Sequence, residues 1–321
     1  MRKLLLSLTI AFLLLGDTFA EGGPKVVVSI KPVHSLVAGV MQGVGEPTLL
    51  LKGGASPHDY SLRPSDVRAI NQAKVVFWIG KNLETFLVKP LENAQVLQAA
   101  LMEAPGIELL PLREGGIWEP HEGHQHAEVN RHAQDHGKAK DDEHESHDDP
   151  HIWLNPRNAM AMVRQMGTVL SEVDPGHKTI YQTNVDTVLK RLETLDEELK
   201  TKLTPVKGKP YIVFHDAYQY LERHYGLTAM GSITLNPEQR PGTRRLQEIR
   251  KHITDHQVIC VFSEPQFKPA LVNNLVENTT AKSGILDPEG GADLTEGPDA
   301  YFQLLTNLAS SLSRCLGAEV P

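Results

Sequence analysis

The chain has 321 residues, with 32 basic against 40 acidic side chains and a formal net charge of −8. That length points to two compact lobes rather than one. The acidic balance argues against nucleic acid or an anionic membrane as a partner and favours cations. The opening segment, "MRKLLLSLTIAFLLLGDTFA", carries two basic residues, an apolar run from Leu4 to Leu15 and a small-x-small pattern at Thr18-Phe19-Ala20. The run is too short to span a bilayer, so residues 1–20 are predicted to be a cleavable signal peptide. No cysteine stands near the cleavage point, which argues against a lipid anchor. The expected location is the periplasm of a Gram-negative bacterium.

Beyond the signal, short β-branched runs alternate with segments of helical period. "KVVVSI" (25–30) reads as a buried strand and "HSLVAGVMQGV" as the helix after it. "PTLLLKGG" (47–54) is a second strand running into a glycine turn. "RPSDVRAINQA" (63–73) reads as a helix with Pro64 and Ser65 at its start and Val67, Ile70 and Ala73 on one face. "KVVFWIG" (74–80) is a third strand. This rhythm predicts a mainly parallel sheet covered by helices, an α/β lobe over 21–174. Within it, residues 119–149 are acidic, rich in histidine and almost free of apolar side chains, so they are read as a mobile loop. Residues 175–204 read as one rigid amphipathic helix of about 40 Å, with Ile180, Val185, Val188, Leu189, Leu192, Leu195, Leu199 and Leu203 at threes and fours. The rhythm then restarts over 205–321, with strands at "YIVFHDAY" and "QVICVFSEP", a helix at "TRRLQEIRKHI" between them, and a last helix from Asp299. The two cysteines, Cys260 and Cys315, are too few for a thiolate metal site, and an isolated pair in an exported chain predicts a disulfide.

Open α/β sheets bind ligands beyond the carboxyl ends of their strands. Three histidines fall at such places: His58 in the glycine-rich loop after strand 47–51, His151 where the mobile loop rejoins the fold, and His215 at the end of "YIVFH". Two come from the first lobe and one from the second, so they meet only in a cleft between lobes. Neutral imidazoles suit Zn(II), with a carboxylate or water as the fourth ligand, whereas Mg(II) or Ca(II) would call for oxygen donors. Asp287, after another short apolar run, is a candidate for that fourth place. Asp59, Tyr60, Asp216 and Tyr218 stand near enough in sequence to hold the second imidazole nitrogens. Read singly, each histidine fits a structural hydrogen-bonding role at least as well.

Six segments, "KPVHSLV", "GGASPHDYSLRPSD", "DPHIWLNP", "VFHDAY", "VFSEPQF" and "LDPEGG", together resemble the metal-binding subclass of substrate-binding proteins of ABC importers, and its zinc-binding periplasmic branch in particular. The resemblance runs in order through nearly the whole mature chain. It implies two (β/α) lobes bridged by a rigid helix, one transported Zn(II) between them, a membrane permease of a zinc ABC importer as partner, and no catalytic residues. Carried over by position, His58, His151 and His215 match the family's histidine ligands. Manganese- and iron-binding relatives tend to have glutamate where this chain has His215, which favours zinc. Asp287 matches the aspartate that completes the site in those relatives, with bound water as its competitor here. Pro57 before His58 excludes a glutamate ligand from that position. Glu264 matches a family motif without an assigned role. The histidine-rich tract (His121, His124, His126, His132, His136, His144 and His147) is expected to bind further zinc weakly and exchangeably. The chain is expected to be a monomer. A manganese carrier and a zinc-dependent hydrolase are the alternatives, the second lacking an HExxH pattern.

Overall fold

A computed structural model describes residues 22–113, 118, 148–234, 237 and 241–317. The expected signal peptide and the seven histidines from His121 to His147 lie outside the described residues. In chain order the first lobe runs β1 (Val26–Val28), α1 (Lys31–Val40), β2 (Thr48–Leu49), α2 (Pro64–Gln72), β3 (Val75–Trp78), α3 (Thr85–Glu92) and β4 (Leu97–Ala100). Two helices follow, α4 (Pro156–Val173) and α5 (Lys178–Leu203). The second lobe has β5 (Tyr211–His215), α6 (Gln219–Tyr225), β6 (Ala229–Thr234), α7 (Thr243–Asp255), β7 (Cys260–Ser263), α8 (Ala270–Val276), β8 (Lys282–Ile285) and α9 (Ala300–Cys315). Among the described residues no helix is long and apolar enough to cross a membrane.

Each lobe holds a four-stranded sheet in which every pairing is parallel, ordered β2-β1-β3-β4 and β6-β5-β7-β8. The inner strands β1, β3, β5 and β7 are short and fully buried because helices cover the sheets, whereas the edge strands β4 and β8 are largely exposed. In the second sheet the alternation of side chains decides what the strand ends present. Tyr211 and Val213 belong to the core that runs through both lobes, whereas Ile212 and Phe214 pack on the opposite face with α7 and α8. With a period of two, His215 follows Tyr211 and Val213 toward the first lobe. On β7, Cys260 and Phe262 share that face, so Glu264 follows them. The register pairs Tyr211 with Cys260 and Ile212 with Val261. Carried four residues on, it sets His215 beside Glu264 at the switch point between β5 and β7.

The long helix begins at Lys178, after a 3-10 turn at Pro175–His177, and extends 26 residues. Its buried stripe is Tyr181, Val188, Leu192, Leu195, Leu199 and Leu203. Ile180, expected on that stripe, is exposed because Tyr181 takes the inward position and donates from its hydroxyl to Asp174 at 2.7 Å. Val67 is likewise exposed, leaving Ile70 and Ala73 to seat α2. The sequence pattern gave no notice of α4, whose 18 residues bury alanine, methionine and glycine more than large aliphatics. Asn155 caps it by accepting from the Arg157 amide at 2.9 Å, and Pro156 occupies its first turn. At Gly167 α4 meets α5 so closely that a Cβ would stand 2.4 Å from a methyl of Val185. The helix α9 lies against α1 and α5 as well as β8, so the last helix joins the layer between the sheets.

Asp148 and Asp149, read from sequence as the end of the mobile loop, are built into the fold. Asp148 bridges to Pro111, and the Asp149 amide donates to Leu110 at 2.8 Å.

The expected disulfide is present: Cys260 opens β7, Cys315 closes α9, and 55 positions separate them. Gly284 on β8 makes room for it, since a Cβ there would lie 2.6 Å from the Phe262 ring and 3.4 Å from the Cys315 sulfur. Replacing both cysteines by alanine should lower the unfolding free energy by about 3 to 4 kcal/mol, read from the urea midpoint of the oxidised wild type against the variant.

Candidate metal centre

His58, His151 and His215 converge although they come from three distant parts of the chain. One ring nitrogen of each lies within 4.8 Å of the others. The ring centroids are 5.2 to 5.5 Å apart. His151 and His215 are buried and His58 is partly so. His58 sits in the turn after β2, where the backbone leaves Leu51 through Gly53 and Gly54, both at positive φ. Gly54 also approaches the second lobe, with its would-be Cβ 3.2 Å from the Ala292 amide nitrogen. His151 precedes the 3-10 turn Ile152–Leu154, and its ring lies 5.3 Å from the Trp153 ring. That indole donates to the Pro288 carbonyl at 2.8 Å, which ties this segment to the second lobe.

The far side of each buried ring meets a carboxylate. His151 Nδ1 lies 2.7 Å from Asp149 Oδ1, and His215 Nδ1 lies 2.5 Å from Glu264 Oε1. The Tyr218 hydroxyl donates to the same Glu264 oxygen at 3.4 Å. With Nδ1–H directed at a carboxylate, the neutral ring carries its lone pair on Nε2. The two Nε2 atoms face each other at 3.3 Å, and the buried His58 Nε2 has no hydrogen-bond partner among the described residues. Two ligands at ~2.0–2.1 Å from a tetrahedral Zn(II) would stand about 3.3 to 3.4 Å apart. The pair of rings already has that spacing, and the donor set is the one zinc takes.

Electrostatics keep two rings uncharged. Burial holds His58 and His151 well below the usual imidazole range, and the neighbouring rings lower them further. Burial also pulls His215 down, but the charge and hydrogen bond of Glu264, with Asp216 and Asp149 behind it, outweigh that pull and raise it. Burial pushes the Asp149 carboxyl up to about 7 against the hydrogen bonds it accepts. A dication among the rings would disfavour protonation of all three imidazoles and draw the Asp149 carboxyl back down.

Asp287 does not join the three rings. Its Oδ1 accepts from the Glu289 and Gly290 amides at 3.0 and 2.8 Å, closing the turn that follows β8. Lys31, the first residue of α1, is buried and donates to the carbonyls of Gly290, Gly291 and Leu294, at 2.6 Å for Gly290 and 2.7 Å for Leu294. That turn is thereby fixed against the first lobe. The candidates for orienting the rings are also redistributed. The Tyr60 hydroxyl goes to Asp66 and the Asp216 carboxylate to Arg113, while Asp149 and Glu264 take the Nδ1 atoms. Glu264 stood in the sequence as part of a family-like segment without a role, and the register of β5 and β7 supplies one. Asp149 was hidden as one acid among many in an acidic tract.

Because Glu264 both aims His215 and raises it, Glu264→Gln should weaken zinc binding at pH 8 by about 10- to 100-fold. In the wild type, protons compete for His215 as pH falls through its raised value, so zinc affinity is lost on the acid side. Without the glutamate charge that loss should begin at lower pH. Chelator competition at a series of pH values checks both effects.

The sequence matches the ZnuA family, "Zinc-uptake complex component A periplasmic", over residues 26–315. It is 45% identical over 320 residues to the high-affinity zinc uptake system protein ZnuA of Brucella abortus, covering 94% of each chain. To the protein of the same name from Yersinia pestis it is 38% identical over 307 residues, covering 95% of each. Among solved structures, the periplasmic zinc binding protein TroA from Treponema pallidum superposes with a TM-score of 0.75 at 20% identity, covering 92% of this chain and 99% of that one. That likeness carries the fold: two parallel-sheet lobes and a long linking helix. The chain belongs to the ZnuA family of periplasmic zinc-uptake components.

Proposed function

We propose that the chain captures one Zn(II) on the Nε2 atoms of His58, His151 and His215, with water in the fourth position, and delivers it to the membrane permease of a zinc ABC importer. The observation that carries this reading is the convergence of the Nε2 atoms of His151 and His215, each ring held by a carboxylate on its far side, on the unpartnered His58 Nε2. An imidazole-only set favours zinc over the oxygen-seeking divalent cations. Asp287 stands outside the group of ring nitrogens, its Oδ1 accepting from two amides of its own turn.

A carrier is favoured over a hydrolase because of where the nearby acids are spent. A metal-bound water needs a free general base within hydrogen-bond reach, but Asp149 and Glu264 are engaged with the rings. The protein acts after export through the segment 1–20, as a periplasmic monomer with no nucleic-acid partner. The histidine tract from His121 to His147 binds additional zinc weakly, apart from the cleft site.

Metal analysis with calorimetry on the mature chain tests the assignment. One tight zinc is expected in the wild type and in a variant lacking residues 121–147. His215→Ala should weaken that zinc by more than about 100-fold. Tight binding that survives His215→Ala sinks the ligand set, and its loss on deletion of the tract sinks the separation of the two sites.

A further inference from the structure

Near the cleft lies a second cluster of buried charges that zinc coordination does not use. Asp216 follows His215 directly, and Glu222 stands on α6; both are buried. Their shared cation is Arg113, which arrives from the first lobe. Its Nε donates to both Asp216 oxygens at 3.1 and 3.0 Å, its Nη2 adds a further bond to Asp216, and its Nη1 donates to Glu222 at 2.6 Å. The guanidinium also lies 3.7 Å from the centroid of the Trp118 ring. A bidentate, charge-assisted pair under an aromatic face is a strong and directional contact.

Its position in the chain gives this contact a consequence for zinc. Residues 110–113 run beside 148–151, joined by the Pro111–Asp148 bridge and the Asp149 to Leu110 hydrogen bond. The strip 148–151 carries His151, and Asp149 orients its ring. Arg113 therefore connects the strip bearing one buried ligand to the residue after the other. Tyr220 and Gln219 of α6 reinforce the junction. The Tyr220 hydroxyl donates to the Asp149 carbonyl at 2.8 Å and accepts from the Leu110 amide at 3.0 Å, and Gln219 donates to the Pro111 carbonyl at 3.0 Å. These are neutral-donor bonds; among the described residues the ionic fork here comes from Arg113.

We infer that Arg113 is a positioning residue for zinc retention, a clamp between the two lobes that holds the His151 strip against the His215 strand end without touching the metal. Zinc leaves when His151 and His215 part, and the clamp resists that parting. It acts on release more than on capture. The inference rests on the three-histidine site proposed above.

The test uses the mature full-length protein loaded with Zn(II) and chased with excess chelating dye, alongside urea unfolding of the metal-free form. Arg113→Met should speed zinc release about 10- to 100-fold, with the association rate within about threefold of wild type. Arg113→Lys keeps the charge but loses the fork, so its release rate should fall between the two with a near-wild-type urea midpoint. Arg113→Met combined with Glu222→Gln removes one of the two buried acids left uncompensated and should recover part of the midpoint while still releasing quickly. Wild-type release from Arg113→Lys, or from the double variant, overturns the clamp even if Arg113→Met does not fold. His215→Ala is run in parallel: if it retains tight zinc, the ligand assignment falls and the clamp with it. If it loses zinc while the Arg113 variants release normally, only the clamp falls.

Discussion

Three imidazoles bring their ring nitrogens together at one place inside the protein, and most of the architecture can be traced to that convergence. Polar nitrogens buried without partners cost about 1 to 3 kcal/mol each, so the arrangement persists only where the surrounding structure imposes it. For the two buried rings the imposition is a carboxylate on the far nitrogen. Asp149 is two residues from His151 and is held by its own backbone bond to Leu110. Glu264 is brought to His215 by the parallel register of β5 and β7. Sheet topology thus fixes a tautomer, and the tautomer fixes which atoms a metal meets.

Those few atoms need a stiff frame, and the core supplies it. A single apolar cluster runs from Val26, Val76 and Phe77 of the first sheet through α4, α5 and α9 to Tyr211, Val213 and Phe262 of the second. Swinging one lobe away from the other would expose part of that cluster, at about 1.5 to 3 kcal/mol for each large side chain uncovered. Contacts across the cleft add to the resistance: Lys31 on three carbonyls, Trp153 on Pro288, and the Tyr301 hydroxyl on the Trp153 carbonyl at 2.7 Å. Movement is thus cheaper in the turn carrying the partly buried His58 than in the lobes as bodies or in the anchored His151 strip.

Some of this could be read from the chain and some could not, for physical reasons. The β-branched runs and the strand-end histidines carry local signals, since strand alternation and ligand chemistry act on neighbouring residues. The long helix was legible in its leucines, although Tyr181 displaced Ile180 from the buried stripe. By contrast, α4 hides behind alanine, methionine and glycine, because close packing on α5 rewards small side chains that no amphipathic pattern advertises. The pairing of Asp149 with His151, and of Arg113 with Asp216, depends on tertiary burial. In sequence Asp149 is one acid among many, with nothing local to set it apart.

The histidine-rich tract and the cleft illustrate why abundance of a ligand type is a poor guide to a tight site. The tract from His121 to His147 offers many imidazoles interspersed with acids, at irregular spacing that defines no one set of ligands. In the cleft the ring geometry is set by the fold itself. His151 is buried against Trp153, its ring is set by Asp149, and its Nε2 already stands 3.3 Å from that of His215. Preorganisation, rather than the number of histidines, favours the cleft as the place that retains a single ion. That order is imposed from the far side of the rings, by Asp149 on His151 and Glu264 on His215.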